Sequence, residues 1–321
     1  MRIVIRTMCA NLLRLVGLVA VLALIAVGCG GDGGSVAGEV DLSDATLTVG
    51  SKNFTEQLIL GQITKLALEE AGAQVNDQIG LAGSVAARKA LESGEIDLYW
   101  EYTGTGWITY LQHTKPIPGR QKQFEAVAEE DLKKNDVKWL SPPAPANNTF
   151  ALVVRSEVYN DLGVKQLSDF NRLVRERPEE ATICVDTEFA TRDDGLPGVE
   201  EAYNFEFPND NIKQIDIGLI PQSVDKGNLC NFGVMQATDG RIQALDLRLI
   251  EDDESFFPLY NPALNVRKDV MKEYPQIKEV FTPISEKLTT ETLRKLNAKV
   301  DVEGQLEDQV AEDWLSENGF I

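Results

Sequence analysis

Two strand–loop–helix units follow each other between residues 45 and 102, and this repeat limits the possible folds more than any other feature. Residues 45–50 alternate apolar and polar side chains like a half-buried strand, and an amphipathic helix follows to about Ala71. A second strand and helix occupy residues 75–93, and residues 95–102 form a third strand. Successive βα units indicate an α/β domain with a mostly parallel sheet.

The first helix is preceded by a loop that carries a cation. Lys52 lies in this loop, where a positive charge can meet a ligand anion at the carboxyl edge of the strand. A solvated surface lysine is the alternative. Asn53 and Glu56, three residues apart, have the spacing of a capping box at the helix start.

The third strand ends in the segment 97–107, which passes through a Gly-containing turn and enters a helix near Thr105. A strand that leads through such a turn to a helix N-terminus is a ready site for a small anionic group. Tyr99, Trp100 and Tyr102 flank the turn. We therefore interpret this segment as half of a pocket for a small molecule with one cationic and one anionic end.

Two proline-punctuated connectors divide the rest of the chain. Residues 141–148 contain three prolines in four positions, which excludes a helix, and residues 256–262 form a second connector. We therefore predict a split first lobe of residues 45–146 and 261–321, and a continuous second lobe of residues 147–260. Proteins built in this way close on a ligand in the cleft between their lobes.

A second candidate cation, Arg192, lies in the predicted second lobe. It follows the strand that contains Cys184 and precedes a Gly turn, so it too lies at the carboxyl edge of a strand. A guanidinium there can bind a carboxylate with two hydrogen bonds. The alternative is a surface ion pair with Asp193 or Asp194.

The N-terminal residues have the pattern of an export signal. A basic start and an apolar run end in small residues before Cys29, and the run is short for a membrane span. The sequence Ala-Val-Gly-Cys at 26–29 resembles a bacterial lipobox, which implies a cleaved signal peptide (residues 1–28) and an extracytoplasmic protein lipid-anchored through Cys29. A membrane helix and plain cleavage are the alternatives. We predict that residues 29–44 are a flexible tether.

Charge and cysteine content exclude several kinds of function. The net charge is −20, and the chain without residues 1–28, which hold three arginines and no acids, carries −23. This argues against a nucleic-acid partner, which needs a basic surface. Cys184 and Cys230 form a plausible disulfide in an exported protein, with two buried thiols as the alternative. With His113 as the one histidine and no CxxC pair, no metal site is predicted.

Six motifs together closely resemble the substrate-binding proteins of ABC importers for osmoprotectants, the glycine betaine, carnitine and choline family. They run in order along the chain, at residues 49–57, 97–105, 147–152, 188–192, 238–242 and 256–260. The resemblance implies a type II periplasmic-binding-protein fold, with two α/β lobes joined by two crossover strands and a ligand cleft between them. It also implies a monomer without cofactors, a betaine-type ligand, and an ABC permease and ATPase as separate chains.

The resemblance also implies which residues bind the ligand. Such proteins hold the quaternary ammonium in a cage of tyrosines, and the cage positions matched by motif are Tyr102, Phe150, Gln236 and Tyr260. They hold the ligand carboxylate with a lysine, a threonine and an arginine, which match Lys52, Thr105 and Arg192.

Three departures from the family pattern concern the cage. Phe150 replaces a tyrosine but keeps the ring, whereas Gln236 removes one ring. Trp100 could supply the missing ring if it points inward, and would otherwise face the core of the first lobe. A smaller set of rings predicts weaker glycine betaine binding or a bulkier betaine such as carnitine or ergothioneine.

Two other function classes are alternatives to an importer component. An enzyme is not expected, because the sequence contains no recognisable Ser/His/Asp or Cys/His set and no Gly-rich phosphate loop. A sensory lipoprotein that binds the same ligand without transport stays open, because permease and ATPase would be encoded separately.

Overall fold

The computed structural model describes residues 35–321. The predicted signal peptide, the predicted lipidation site Cys29 and residues 29–34 of the predicted tether lie outside the described residues.

Residues 35–44, within the segment predicted to be a flexible tether, pack on the folded chain. Ala37 and Leu42 are buried in the hydrophobic core. The N–H of Ala37 donates to the carbonyl of Phe320, close to the C-terminus. The packed region therefore begins ahead of residue 45, because these apolar side chains join the core.

Ten strands form two sheets in the described part of the chain. They are β1 (Thr46–Lys52), β2 (Gln74–Leu81), β3 (Leu98–Tyr102), β4 (Val137–Trp139), β5 (Phe150–Arg155), β6 (Ile183–Val185), β7 (Ile212–Gln214), β8 (Phe232–Gln236), β9 (Leu247–Leu249) and β10 (Pro262–Arg267).

Helices cover the faces of both sheets. Those of four or more α-helical residues are α1 (Thr55–Glu70), α2 (Gly83–Ser93), α3 (Arg120–Asn135), α4 (Ser156–Leu162), α5 (Phe170–Glu176), α6 (Leu196–Tyr203), α7 (Ile220–Lys226), α8 (Arg241–Ala244), α9 (Lys268–Glu273), α10 (Ile277–Lys287), α11 (Thr290–Asp301) and α12 (Glu307–Glu317).

The two sheets have the same strand pattern, β2–β1–β3–β10–β4 in the first lobe and β7–β6–β8–β5–β9 in the second. β1 pairs in parallel with β2 and β3, as β6 does with β7 and β8. β10 and β5, the strands that the two connectors lead into, are antiparallel to both neighbours. The parallel pairing predicted for the first three strands is thus confirmed, and the crossing strands make each sheet mixed.

The central strand β3 of the first lobe's sheet is buried on both faces. All five of its residues are buried, and successive side chains point to opposite faces. Trp100 packs in one hydrophobic cluster, whereas Tyr99 packs in another beside Trp139. A third cluster forms the core of the second lobe.

A disulfide bond joins two neighbouring strands of the second lobe. Cys184 of β6 and Cys230, just ahead of β8, are linked with their Cα atoms 5.7 Å apart. Both residues are buried. Within residues 35–321, no helix combines the length and the apolar character needed to cross a membrane.

Candidate ligand-binding site

The sheet topology places the predicted site residues at one edge of each sheet. Lys52 and Tyr102 end the parallel strands β1 and β3, and Gln236 ends β8. Phe150 begins β5 directly opposite Gln236, because β5 runs antiparallel to β8. Tyr260 comes just before β10, which runs antiparallel to β3. Strand ends and crossing-strand starts therefore meet between the lobes, the usual place for a ligand in open α/β sheets.

All the substrate-binding residues predicted from the sequence line a single cavity of about 850 Å³ between the two lobes. They are Lys52, Tyr102 and Thr105 of the first lobe, Phe150, Arg192 and Gln236 of the second, and Tyr260 at the second connector. The volume lies within the range of roughly 300–1,000 Å³ found for small-molecule sites.

Aromatic rings from both lobes line the cavity. The rings of Phe150 and Tyr260 meet edge to face, with their centroids 5.4 Å apart. On the first lobe, Phe54 stacks beside Tyr102 at 6.3 Å and also lines the cavity. Sequence reasoning missed Phe54, although it lies within the motif at residues 49–57. It provides a fourth ring at the site.

Trp100 packs in the core of the first lobe and not in the cavity. Its indole Nε1 donates to the Thr64 hydroxyl at 2.8 Å, and its ring lies edge-on to Phe281. Trp100 shares a face of β3 with Leu98 and Tyr102 but lies two residues back from the strand end, so it packs beside Leu98 in the core. It therefore does not stand in for the ring missing at Gln236.

Two buried carboxylates hold the two tyrosines of the site. The Tyr102 hydroxyl donates to Glu56 at 2.7 Å, and the Tyr260 hydroxyl donates to Asp194 at 2.5 Å. Burial, and then the charge of the neighbouring carboxylate, raise the pKa of each tyrosine well above its usual value. Both hydroxyls therefore stay protonated and fix the orientation of their rings.

Glu56 does not serve as the capping residue that the sequence predicted with Asn53. Helix α1 has no side-chain cap, and Glu56 is buried between the lobes. Its carboxylate accepts hydrogen bonds from Tyr102, from the Asn148 amide at 2.8 Å and from the Asn297 amide at 3.1 Å. Burial raises the pKa of Glu56, and these hydrogen bonds only partly offset that effect.

Lys52 is buried, so the surface alternative considered for it does not hold. Its ammonium donates to Glu101 at 2.6 Å and lies 4.9 Å from the centroid of the Tyr102 ring. Glu101 is fully buried and also accepts from the hydroxyls of Tyr99 and Tyr110. The Tyr102 backbone N–H donates to it as well, at 2.8 Å, so the carboxylate that balances the charge of Lys52 is held in place by three other groups.

Arg192 is also paired. Its guanidinium donates twice to Asp194, at 2.7 and 2.6 Å, and its Nη1 lies 3.4 Å from Glu188. The carbon of the guanidinium is 5.3 Å from the centroid of the Phe150 ring. Burial alone would lower the pKa of Arg192, but Asp194 more than compensates and raises it. Arg192 therefore forms the ion pair with Asp194 that was considered as the alternative. The pair is buried and does not lie at the surface, because Asp194 is only 3% exposed.

Thr105 lies in the turn Thr103–Thr105 that follows β3 and is buried at the cavity wall. The regular helix expected after it is instead the π-helix Gly106–Tyr110. Single π-helical turns often occur at functional sites. This one carries Tyr110 back toward Glu101, the carboxylate that holds Lys52.

One carboxylate crosses the cavity from lobe to lobe. Glu188, which follows β6, accepts from the Ser84 backbone N–H at 2.6 Å and from the Ser84 hydroxyl at 3.0 Å, at the start of α2. Burial alone would raise the pKa of Glu188, but Lys52, Ser84 and Arg192 together lower it below its usual value. No sequence pattern indicates this contact, which joins residues 104 positions apart.

The chain is similar in sequence to proteins that bind small quaternary ammonium compounds. A glycine-betaine-binding protein of Pseudomonas aeruginosa is 38% identical over 281 residues, 86% of this chain and 89% of that protein. The glycine betaine-binding protein YehZ of Escherichia coli is 34% identical over 277 residues, 85% of this chain and 90% of that protein. The solved apo structure of YehZ has a TM-score of 0.63 at 33% identity, over 86% of this chain and 99% of that one.

A protein of Helicobacter pylori that is named for a different ligand is also similar in sequence. The ergothioneine transport permease/ergothioneine binding protein EgtU is 30% identical over 281 residues, 87% of this chain and 49% of that longer protein.

A sequence profile identifies the family. The profile described as the substrate binding domain of ABC-type glycine betaine transport systems matches residues 45–317. Members of such a family are extracytoplasmic binding components of importers and not enzymes. The chain belongs to the family of substrate-binding domains of ABC-type glycine betaine transport systems.

Proposed function

We propose that this protein binds a quaternary-ammonium osmoprotectant of the glycine betaine type and delivers it to a membrane permease. The observation that carries this proposal is the composition of the cavity wall. Aromatic rings and cations from both lobes line the same cavity, although the residues of one lobe are far in sequence from those of the other. A ligand that touches both lobes stabilises the arrangement in which they meet.

In this proposal the trimethylammonium group lies among Phe54, Tyr102, Phe150 and Tyr260. That group has no N–H to donate, so aromatic faces recognise it best, each ring contributing roughly 0.5–2 kcal/mol. The fixed hydroxyls of Tyr102 and Tyr260 help, because a ring held in one orientation loses little entropy when the ligand binds.

The ligand carboxylate is proposed to bind Lys52, Thr105 and Arg192. Lys52 has three ammonium protons and donates one of them to Glu101. Arg192 gives Nε and Nη2 to Asp194, which leaves Nη1 toward the cavity, with a long contact to Glu188. The ligand carboxylate therefore binds two cations whose charges are already balanced by protein carboxylates. It binds them more weakly than it would bind two unpaired cations.

A bulkier betaine such as carnitine or ergothioneine is the second candidate. Gln236 stands at a cage position where the family pattern has a ring, and the cavity of about 850 Å³ is spacious for glycine betaine. The similar Helicobacter pylori protein is named as an ergothioneine binding protein.

Calorimetric titration tests the ligand class. We expect glycine betaine, choline, carnitine or ergothioneine to bind, and we expect tert-butylacetate, the uncharged-head isostere of glycine betaine, to bind at least tenfold more weakly. Tyr260→Ala should remove binding, while the exposed-site control Glu157→Gln should retain it. Failure of every trimethylammonium compound to bind would refute the proposal, and exclusive tight binding of glycine betaine would refute the bulkier alternative.

The proposed location and partners need separate tests. We propose that Cys29 carries a lipid anchor, that the protein acts as a monomer, and that a permease and an ATPase encoded as other chains complete the importer. Cys29→Ser should release the protein from membranes, and deletion of the gene should abolish betaine uptake. If the purified protein binds a betaine but cells without the gene still take betaines up normally, the sensory alternative is favoured.

A further inference from the structure

We propose that helix α11 of the first lobe and residues 237–241 of the second form a pivot between the lobes, and that Gly240 is the positioning residue that lets the lobes come together. Residues 237–241 contain most of the motif at 238–242, which supplies none of the proposed contacts with the ligand. The inference rests on the proposed binding of a betaine between two lobes, and it names what sets their approach.

Helix α11 is fixed to the first lobe along one of its faces. Leu293 and Leu296 are buried in the hydrophobic core of that lobe. The helix starts beside the first connector, where the backbone N–H of Asn147 donates to the Thr290 hydroxyl at 3.1 Å. The helix therefore moves with the first lobe and begins at a point where the chain crosses to the second.

A second face of the same helix lies on the second lobe. Arg294 Nη2 donates to the Ala237 carbonyl at 2.7 Å, and the Asn297 amide donates to the Thr238 carbonyl at 2.9 Å. The residues that reach the second lobe are spaced i, i+3, i+4 and i+7, which places them on one stripe of the helix: Arg294, Asn297, Ala298 and Asp301. The helix thus packs on both lobes at once.

A side chain at Gly240 would collide with this stripe. A Cβ atom at this position would lie 2.6 Å from both the Cα and the Cβ of Ala298. The backbone of Gly240 has φ −67° and ψ −23°, values that any residue adopts. The glycine is therefore required by the close approach of the first lobe and not by a turn.

The contacts along α11 lie at increasing distance from the connector. Thr290 is at the connector, and Asp301 is about 17 Å farther along the helix. Asp301 accepts from the Thr55 hydroxyl of its own lobe at 2.7 Å and lies 3.6 Å from Nε of Arg241 in the second. When one lobe turns about the connectors, contacts near them move little and the outermost moves most. The inner contacts therefore form the pivot, and the outer ion pair forms last as the lobes meet.

Hydrogen bonds connect the pivot to the ligand site. The Thr238 hydroxyl donates to the side-chain oxygen of Asn148 at 2.8 Å. The Asn148 amide in turn donates to Glu56, which accepts from the Tyr102 hydroxyl. The position of the second lobe on the pivot is thus coupled to a ring of the proposed cage.

A substitution at Gly240 tests the pivot, because Gly240 lies outside the ligand cavity formed by the described residues. In calorimetry with glycine betaine, Gly240→Ala should raise the dissociation constant about tenfold, since the added methyl group keeps the lobes apart. The matched control is Gly218→Ala, where a Cβ would meet only the flexible Asp216 side chain of the same lobe, at 3.1 Å. It should leave the affinity unchanged. Unchanged affinity in Gly240→Ala would overturn the inference.

The distance between the lobes can be measured without a ligand. Nitroxide labels on Lys89→Cys in α2 and Asp225→Cys in α7, exposed helical positions on opposite lobes, report this distance in pulsed electron paramagnetic resonance. Gly240→Ala should lengthen it and Gly218→Ala should not, whereas a merely structural defect would lower stability without separating the lobes. An unchanged distance would overturn the inference. If no betaine binds the unaltered protein, only the proposed function is refuted, because the label distances still test the pivot.

A second pair of variants decides the matter if Gly240→Ala does not fold. Arg294→Met removes the donor to Ala237 and adds no bulk, so it should raise the dissociation constant about fivefold and lengthen the label distance. Lys295→Met removes the same charge from the next residue of the helix, which is 72% exposed, and should do neither. Equal effects of the two substitutions would overturn the inference.

Discussion

Replacing Glu188 with glutamine should weaken ligand binding although Glu188 is not proposed to hold the ligand. Its carboxylate reaches from the second lobe to the start of α2 in the first, where it accepts two hydrogen bonds from Ser84. Lys52 and Arg192 add favourable charge on either side. Because the contact exists only when the lobes meet, it stabilises the arrangement in which a ligand can touch both walls.

The expected loss of free energy in Glu188→Gln follows from the interactions with Ser84 that glutamine keeps and those it loses. A hydrogen bond to a charged group is worth roughly 1.5–3 kcal/mol, and a charge at a helix N-terminus roughly 0.3–1 kcal/mol. Glutamine still offers one acceptor to Ser84, so we expect a loss of about 1–2 kcal/mol. Apparent affinity scales with the population of the binding-competent arrangement, so the dissociation constant should rise about five- to thirtyfold.

Calorimetry measures the affinity for the ligand, and small-angle X-ray scattering measures how far the lobes separate without it. Glu188→Gln should raise the dissociation constant and increase the radius of gyration without ligand, whereas Glu157→Gln, 81% exposed on the same lobe, should change neither. The pKa of Glu188 is lowered in the bridged arrangement, so its contribution is present above its ordinary value of 4.5 and is lost as the pH falls through the lowered value. Affinity should therefore decline in acid for the unaltered protein, and less so for the variant. Unchanged affinity and dimensions in Glu188→Gln at neutral pH would refute the reasoning.

Three further predictions concern buried charges and the disulfide. Arg192→Ala leaves Asp194 buried without its partner and should lower the free energy of unfolding, measured in urea, by about 3–5 kcal/mol. Adding Asp194→Asn to that variant should restore most of the loss. An unaltered urea midpoint for the single variant would contradict this. Changing both Cys184 and Cys230 to serine should cost about 4 kcal/mol, since the bond closes a loop with a sequence separation of 46 residues, and a loss near zero would contradict the stabilising role. Burial raises the pKa of Glu56, so protein stability relative to Glu56→Gln should be greatest below about pH 4.5 and should fall as the pH rises through the raised pKa; parallel melting profiles across pH would count against it.

The site positions could be predicted because strand ends are readable in a sequence. Lys52, Tyr102 and Gln236 each end a strand that local apolar patterns reveal. Parallel strands share a carboxyl edge, so their last residues meet. Phe150 and Tyr260 follow from the proline connectors, because a chain that crosses between lobes must begin its next strand at the cleft. The sequence motifs of the family then assigned roles to these positions.

The carboxylates behind the site could not be predicted in the same way. Glu56 matched a local capping pattern, but its actual partners Tyr102, Asn148 and Asn297 lie 46, 92 and 241 residues away. In its buried position Glu56 accepts hydrogen bonds from three donors, more than the helix terminus could provide. Nothing in the sequence near Glu56 encodes those neighbours, so a local signal favoured the wrong role.

The pairing of both cations changes how the cavity selects its ligand. Lys52 and Arg192 each have a carboxylate at 2.6 Å, so their fields largely cancel at the distance of a ligand. Asp186, Glu188 and Asp216 remain on the cavity wall. The cavity as a whole is therefore negative, and it attracts the ammonium more strongly than the carboxylate of a zwitterion. On this argument the rings and the negative field determine whether a compound binds, and the two paired cations determine only which way round it lies.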